Sequence, residues 1–285
     1  MYQNYIFDLY GTLADIRTNE NSPYLWRKMS DIYSALGAVY TARELKLAYQ
    51  KVVKTKQLET AGYLLQSEAW RKSVGFSWRG EEISGKTTDP IAEEVAGDTV
   101  DKAHFLELAQ MHAEPDLTEV FAELFRDKGV SCDREQARLV AVTFRTLSRM
   151  RLGLYDGVID FLEYLRAEGK GIYLLSNAQE DFTRPELDKL GLVPYFDGIV
   201  ISSEEGVKKP SPLFFRRLLD KYDLDPSSCV MIGNDEHSDI AGARAVGVDC
   251  LYIHTAISPE VTGPVDADYL VMDGDFRRIE GLILR

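Results

Sequence analysis

The size and charge of the chain limit the classes of protein to which it can belong. It has 285 residues, of which 45% are hydrophobic and 28% are charged, so it can build a sizeable core in one large domain or two smaller ones. Its net charge of −13 argues against non-specific nucleic-acid binding, which depends on Lys and Arg that neutralise phosphates. A small anionic substrate remains compatible, since a metal and a few placed cations can reverse the local field.

The cysteines and the start of the chain predict a cytoplasmic protein. The three cysteines are far apart and odd in number, which favours reduced thiols over a disulfide framework. The N-terminus is typical of a strand rather than a signal peptide, and no apolar run is long enough to span a bilayer. We therefore expect a cytoplasmic protein that acts without a membrane or nucleic acid. The sequence does not predict the oligomeric state.

The first predicted element is a short buried strand that ends at a carboxylate. Residues 4–7 form an aromatic and aliphatic run, Asp8 follows, and Gly11 allows a sharp turn. The carboxyl edge of a sheet is where α/β folds bind ligands, and a buried carboxylate is costly unless it is paired or bound to a cation. Taken alone, these residues are more typical of a turn-forming Asp than of a catalytic one.

Residues 16–151 are predicted to be mainly α-helical. Between Tyr24 and Met150 the apolar residues recur at helical spacing, with Gly37 and Gly129 at helix ends and Asp133 as a helix cap. Residues 16–23 are polar and typical of a turn, and residues 76–89 are typical of a loop because they are rich in Gly, Ser and Thr.

From Gly153 onward, predicted helices and strands alternate. The strands occupy residues 172–175, 198–201, 229–232, 250–253 and 269–272. This alternation predicts βαβ units and a parallel sheet covered on both faces. The opening strand has no parallel partner nearby in sequence, so we expect it to join the later sheet. The predicted architecture is α/β: a Rossmann-like parallel-sheet core from residues 1–15 and 152–285, with an inserted all-α cap domain at residues 16–151.

Four polar stretches follow predicted strands. Each alone is more typical of a helix cap, a turn or a solvated charge than of a site. Because the carboxyl ends of parallel strands meet at one edge of a sheet, their shared placement favours a common site. They are Asp8-Leu9-Tyr10-Gly11-Thr12, Ser176-Asn177, Lys208-Lys209-Pro210, and Gly233-Asn234-Asp235 with Asp239.

This combination resembles the motifs of the haloacid dehalogenase-like hydrolase superfamily. Their pattern is Asp-x-Asp-Gly-Thr, then a strand-end Ser or Thr, then Lys before Pro, then an acidic pair after Gly. The likeness covers residues 2–14 and 153–253, and the helical insert lies where the superfamily carries its cap. The resemblance implies a cap that closes over Asp8, excludes water and selects the substrate.

The resemblance also implies a role for each motif residue. Asp8 is then the nucleophile, which forms a covalent aspartyl intermediate. Mg²⁺, which prefers oxygen ligands, is then held by Asp8, the Tyr10 main-chain carbonyl, Asp235 and Asp239. The remaining implied roles are binding of the transferring group by Ser176, Asn177 and Lys209, neutralisation of charge by Lys209, and support of the turn by Thr12.

Two departures from the pattern leave three functions open. Tyr10 stands where phosphatases of the superfamily carry an acid/base Asp, and a phenol is a poor base at neutral pH. A Tyr there is similar to metal-independent 2-haloacid dehalogenases. Asn234 stands where many relatives have an Asp, although the acids that follow it favour a metal-dependent phosphatase. The implied function is hydrolysis of a small phosphate ester with Mg²⁺; the alternatives are 2-haloacid dehalogenation and a catalytically impaired binding or regulatory protein.

Overall fold

The computed structural model describes residues 2–75 and 102–283. The predicted loop at residues 76–89 lies outside these ranges. No helix within them is both long and apolar enough to cross a membrane.

Six of the described strands form one parallel sheet, in the order β5-β4-β1-β6-β7-β8. The prediction that the opening strand joins the later sheet is confirmed, because Phe7 pairs with Leu174 on one side and with Ile232 on the other. The other two strands, β2 and β3, form a separate antiparallel pair. In chain order the strands are β1 (Asn4–Phe7), β2 (Ala14–Thr18), β3 (Arg149–Leu154), β4 (Gly171–Ser176), β5 (Gly198–Ile201), β6 (Cys229–Gly233), β7 (Asp249–Ile253) and β8 (Tyr269–Val271).

The described helices fall into two groups, as the sequence pattern predicts. The first group, α1 to α6, lies in the chain between β2 and β3; the second group alternates with the strands of the sheet. The division into domains at residues 15 and 152 stays a prediction. The helices are α1 (Pro23–Ala35), α2 (Ala42–Gln66), α3 (Glu68–Ser73), α4 (Lys102–His112), α5 (Leu117–Arg126), α6 (Arg134–Ser148), α7 (Val158–Ala167), α8 (Glu180–Leu190), α9 (Ser202–Glu205), α10 (Pro212–Lys221), α11 (Ala241–Arg244) and α12 (Arg277–Ile283).

The β2–β3 ribbon departs from the prediction of a polar turn followed by helices alone. Ala14 lies opposite Leu154 and Ile16 opposite Leu152. Both strands are short, carry Arg side chains and pair across more than a hundred residues of sequence, so neither shows a strand signal by itself. The ribbon carries the chain out of the sheet into the helical insert and back.

The sheet is buried on both faces, which fixes the position of β1. Tyr5 and Phe7 pack on one face against Phe161 of α7, while Ile6 packs on the opposite face. Burial of such a side chain contributes about 1.5–3 kcal/mol. Some helices of the insert pack around a second apolar cluster, which includes Trp26, whereas Trp70 and Phe105 of the insert join the cluster on the Ile6 face of the sheet. The residue after Phe7 is therefore held at the carboxyl edge of a rigid sheet.

Candidate active site

Asp8 begins the loop that follows β1. Its main-chain N–H donates to the Ile232 carbonyl oxygen (3.1 Å), and the residue is 7% exposed. Gly11 has a φ of +93°, and a Cβ there would lie 2.5 Å from the Asn234 side chain. Only glycine meets both conditions without strain, so the turn brings this loop directly against the loop that follows β6.

Lys209 lies between two carboxylates. Its Nζ is 2.8 Å from Asp8 Oδ1 and 2.6 Å from Asp239 Oδ1, and the residue is 2% exposed. Thr12 Oγ1 lies 3.1 Å from Asp8 Oδ2. We call Asp8, Thr12, Lys209 and Asp239 the Asp8 cluster. Three separate predicted motifs therefore meet at the Lys209 ammonium group.

Asn177 positions the Lys209 backbone, and both polar groups of its side chain form hydrogen bonds to that backbone. Its Nδ2 donates to the Lys209 carbonyl oxygen (3.0 Å), and its Oδ1 accepts from the Lys209 N–H (2.8 Å). The peptide bond from Lys209 to Pro210 is cis. In this arrangement Asn177 acts on the loop that carries Lys209, which differs from the substrate contact that the resemblance implies.

The electrostatics of the Asp8 cluster favour ion pairing. Burial opposes the charge on Lys209, but Asp239 and Asp8 outweigh burial and raise the pKa of the ammonium. Burial, together with the nearby Asp8, raises the pKa of Asp239, although Lys209 opposes this shift. With both acids ionised, the cluster carries one net negative charge in a setting nearly closed to water.

The two acids of the last motif face different partners. Asp239 Oδ2 accepts from the main-chain N–H groups of Asn234 and Asp235, each at 3.0 Å. Asp235 Oδ1 instead accepts from the His237 N–H (2.9 Å), which caps the helical turn at residues 236–240. Asp239 therefore orients the loop and Lys209 together, while Asp235 Oδ1 is used at the start of that turn.

Asn234 lies beside the Asp8 loop, although it is absent from the predicted ligand set. Its Oδ1 is 3.1 Å from Thr12 Oγ1, and its Nδ2 donates to Ser258 Oγ (3.3 Å). Its place directly after Gly233 is the sequence signal that could have identified it. Ser176, at the end of β4, is fully buried, and its hydroxyl has no hydrogen-bond partner among the described residues. A buried hydroxyl without a partner can serve a bound ligand.

The Tyr10 side chain belongs to a second group of charges. Its hydroxyl contacts Glu186 Oε2 and lies 3.1 Å from Thr183 Oγ1. Arg145 and Arg149 bind the same Glu186 carboxylate at 2.8 Å and 2.7 Å. We call Tyr10, Arg145, Arg149 and Glu186 the Glu186 cluster. It joins the Asp8 loop to α6, α8 and β3, and sequence reasoning identified none of its charged members.

Electrostatics distinguish the two ends of the Tyr10 contact. Burial, together with the negative charge of Glu186, raises the pKa of the Tyr10 phenol. Burial opposes the charge on Glu186, but its hydrogen bonds and ion pair with Arg145 outweigh burial and lower the pKa of its carboxyl. The phenol is therefore held protonated and the carboxylate ionised.

The chemistry of the donor set is compatible with Mg²⁺. The described residues contain no group of three or more His, Cys, Asp or Glu placed to hold a metal by themselves. With both acids ionised, the Asp8 cluster nevertheless has one uncompensated negative charge, and Asn234 Oδ1, which lies 3.1 Å from Thr12 Oγ1, adds a neutral oxygen beside it. Mg²⁺ keeps several waters and needs only one or two protein carboxylates, so these residues fit such an ion.

A sequence model described as haloacid dehalogenase-like hydrolase matches residues 2–247. The chain belongs to this family. Its Rossmann-like sheet and helical insert are therefore those of a haloacid dehalogenase-like hydrolase, as the motifs predict.

Individual relatives match over part of their length. The chain is 32% identical over 155 residues to phosphoserine phosphatase of Thermus thermophilus. This match covers 54% of this chain and 61% of that protein. It is 33% identical over 115 residues to ribulose-1,5-bisphosphate 5-phosphatase of Halopiger xanaduensis. This match covers 40% of this chain and 48% of that protein. The chain thus spans about half to three fifths of these curated relatives. The solved putative HAD-hydrolase YfnB of Bacillus subtilis aligns over 100% of this chain and 99% of its own, with 15% identity and a TM-score of 0.49.

Proposed function

We propose that this haloacid dehalogenase-like hydrolase is a phosphatase that acts on a small phosphorylated metabolite with Mg²⁺. The observation that carries the proposal is the Asp8 cluster, in which Lys209 Nζ lies 2.8 Å from the Asp8 carboxylate at the carboxyl edge of the sheet. Similarity to two enzymes named as phosphatases adds support. The substrate is a small molecule in solution, and neither nucleic acid nor membrane is part of the proposal.

Asp8 is the proposed nucleophile. One carboxylate oxygen forms a bond to phosphorus, the leaving group departs, and water then cleaves the aspartyl phosphate. Lys209 pairs with the Asp8 carboxylate and offsets charge on the phosphoryl oxygens. Thr12 fixes the second Asp8 oxygen, and the free Ser176 hydroxyl is the proposed donor to a phosphoryl oxygen.

Mg²⁺ is the proposed cofactor. It would offset the negative charge of the Asp8 cluster and allow one anion to approach another. The proposed ligands are the Asp8 carboxylate, the Tyr10 main-chain carbonyl, and oxygen from Asp235 or Asp239. Both oxygens of Asp239 already accept hydrogen bonds, which favours Asp235 as the direct ligand of the two.

Phosphate release decides the proposal. The purified chain is assayed on a panel of phosphate esters with Mg²⁺, beside Asp8→Asn and beside Asp249→Asn, which alters an exposed carboxylate at the start of β7. We expect release by the wild type and by Asp249→Asn but not by Asp8→Asn, and loss of release when a chelator removes the metal. No release above the Asp8→Asn background would contradict the proposal.

Tyr10 supports metal-independent 2-haloacid dehalogenation as the second candidate, because halide departs without a proton. The same preparations are therefore tested on 2-haloacids. Halide release that persists with a chelator, without any phosphate release, would replace the phosphatase proposal with this one. Absence of turnover on both substrate classes would leave the binding or regulatory protein as the better hypothesis.

A further inference from the structure

The Tyr10 hydroxyl is part of a buried charge cluster rather than of the surroundings of Asp8. Glu186 is 2% exposed and is held by Arg145 through two contacts of 2.8 Å and 3.0 Å. Arg149 adds a third contact at 2.7 Å. A carboxylate between two guanidinium groups stays ionised and can only accept hydrogen bonds.

This arrangement determines where the Tyr10 hydrogen goes. A phenol has a single hydrogen, and its closest polar neighbour is the Glu186 carboxylate, so Tyr10 donates to Glu186. The Arg145 guanidinium lies over the Tyr10 ring, with Cζ at 5.3 Å from its centroid. The ring is thereby fixed on α6 and α8, and the hydroxyl hydrogen is not directed to the group that leaves phosphorus when Asp8 attacks.

The side chains that contact Asp8 are no better placed to protonate a leaving group. Within the described residues, those within hydrogen-bond distance of its carboxylate are Lys209 and Thr12. The Lys209 ammonium is shared between Asp8 and Asp239, which favours its charged form. The Thr12 hydroxyl faces Asp8 and Asn234, and an aliphatic alcohol is a weak acid. Asp8 is thus surrounded by groups that stabilise charge.

We propose that the chain acts on phosphoryl compounds whose leaving group departs as an anion, without a proton from the protein. Acyl phosphates and aryl phosphates with acidic phenols belong to this class, whereas simple alkyl phosphates do not. The proposal rests on the proposed phosphatase function. It assigns Glu186 as a positioning residue that holds Tyr10 away from leaving-group chemistry.

Neither formation nor hydrolysis of the aspartyl phosphate needs an acid from the protein. An Asp8 carboxylate oxygen forms a bond to phosphorus, and the bond from phosphorus to the leaving oxygen breaks, so that its electron pair leaves with the carboxylate or phenolate. Water then forms a bond to phosphorus, and the bond from phosphorus to the Asp8 oxygen breaks. Asp8 returns as a carboxylate, and the proton lost by water passes to the solvent. A positioned general acid typically contributes about 10²–10⁴-fold in rate, which sets the expected preference against substrates that need one.

Substituted phenyl phosphates test the proposal, because their phenols differ in acidity but little in shape. The parameter kcat/KM, measured with Mg²⁺, reports the steps up to departure of the phenol. For the wild type we expect log kcat/KM to fall steeply as the phenol pKa rises. Tyr10→Phe should change kcat/KM by the same factor for every substrate and so keep the slope. Tyr10→Asp, which introduces a carboxyl group two residues after Asp8, should make the slope shallower.

The matched control is Tyr195→Phe, which removes another tyrosine–glutamate hydrogen bond, to Glu163 (3.2 Å), at an exposed position. Its slope should equal that of the wild type. A shallow wild-type slope would overturn the inference while leaving the phosphatase proposal in place, and so would a slope that steepens in Tyr10→Phe. If other phosphate esters are cleaved but no phenyl phosphate is cleaved above the Asp8→Asn background, this inference is overturned and the phosphatase proposal stands. If no phosphate ester of any kind is cleaved above that background, both fall.

Discussion

The Asp8 cluster and the Glu186 cluster are both buried groups of charges around one loop, but they are built in opposite ways. The first holds two carboxylates and one ammonium, and the second holds two guanidinium groups and one carboxylate. The Asp8 cluster takes its members from loops and a short helical turn at one edge of the sheet. The Glu186 cluster takes Arg145 from the helical insert and Glu186 from α8. The members of the Asp8 cluster therefore all come from the core, whereas the Glu186 cluster forms where the insert packs against the core.

Solvent access separates the two clusters further. The side chains of Lys209 and Asp239 are each 1% exposed, whereas those of Arg145 and Arg149 are 14% and 21% exposed. An arginine that loses its partner can turn part of its guanidinium toward water, but a carboxylate inside the sheet edge cannot. Removal of the single central charge should therefore lower the free energy of unfolding more in the Asp8 cluster than in the Glu186 cluster.

The largest expected effect is that of Lys209→Met. Methionine keeps the length of the side chain but leaves Asp8 and Asp239 facing each other without a counter-charge. Loss of one partner of a buried ion pair typically costs about 3–5 kcal/mol. We expect the free energy of unfolding, measured by urea denaturation at pH 7, to fall by about that amount.

The adjacent lysine provides the control for Lys209→Met. Lys208 Nζ lies 3.9 Å from Glu114 Oε2, and its side chain is 28% exposed, so Lys208→Met should cost less than about 1 kcal/mol. Equal losses in the two variants would contradict the claim that the Asp8 cluster depends on its central charge.

The Asp8 cluster could be predicted because its geometry follows from local sequence. Its members lie in the segments that follow the apolar strands β1, β5 and β6, and parallel strands bring their carboxyl ends to one edge. For the same reason, the strands of the sheet could be placed to within about a residue. The sequence pattern could not show which of Asn234 and Asp235 lies beside the Asp8 loop, because neighbouring residues in a loop point in different directions once the loop is folded.

The Glu186 cluster could not be predicted for an equally physical reason. Arg145 and Glu186 lie on helices, where a charge is normally solvated and where periodicity marks only the apolar face. Arg149 begins β3, a strand that is visible only when it is paired with β2. Nothing in the sequence indicates that these charges meet, because they meet only when the insert packs against the core.

A smaller loss is expected for Glu186→Gln. Glutamine keeps the shape but cannot balance two guanidinium groups, and a hydrogen bond to a charged group typically contributes about 1.5–3 kcal/mol. Urea denaturation at pH 7 should show a loss in that range. The control is Glu163→Gln, an exposed glutamate that accepts one bond from Tyr195, for which a change within about 0.5 kcal/mol is expected. Comparable losses in both would show that the Glu186 cluster adds no stability.

The smallest expected effect is the pH dependence of the difference in unfolding free energy between the wild type and Glu186→Gln. The folded state lowers the pKa of Glu186 below its ordinary value of 4.5, so its contribution is present above about pH 4.5 and is lost as the pH falls through the folded-state pKa. Once protonated, Glu186 resembles the glutamine of the variant. The gap in unfolding free energy between wild type and Glu186→Gln should therefore be constant from pH 7 to 5 and shrink below 4.5. Urea titrations at a series of pH values measure this gap, and a gap that persisted undiminished into strong acid would mean that the two arginines do not stabilise the ionised carboxylate.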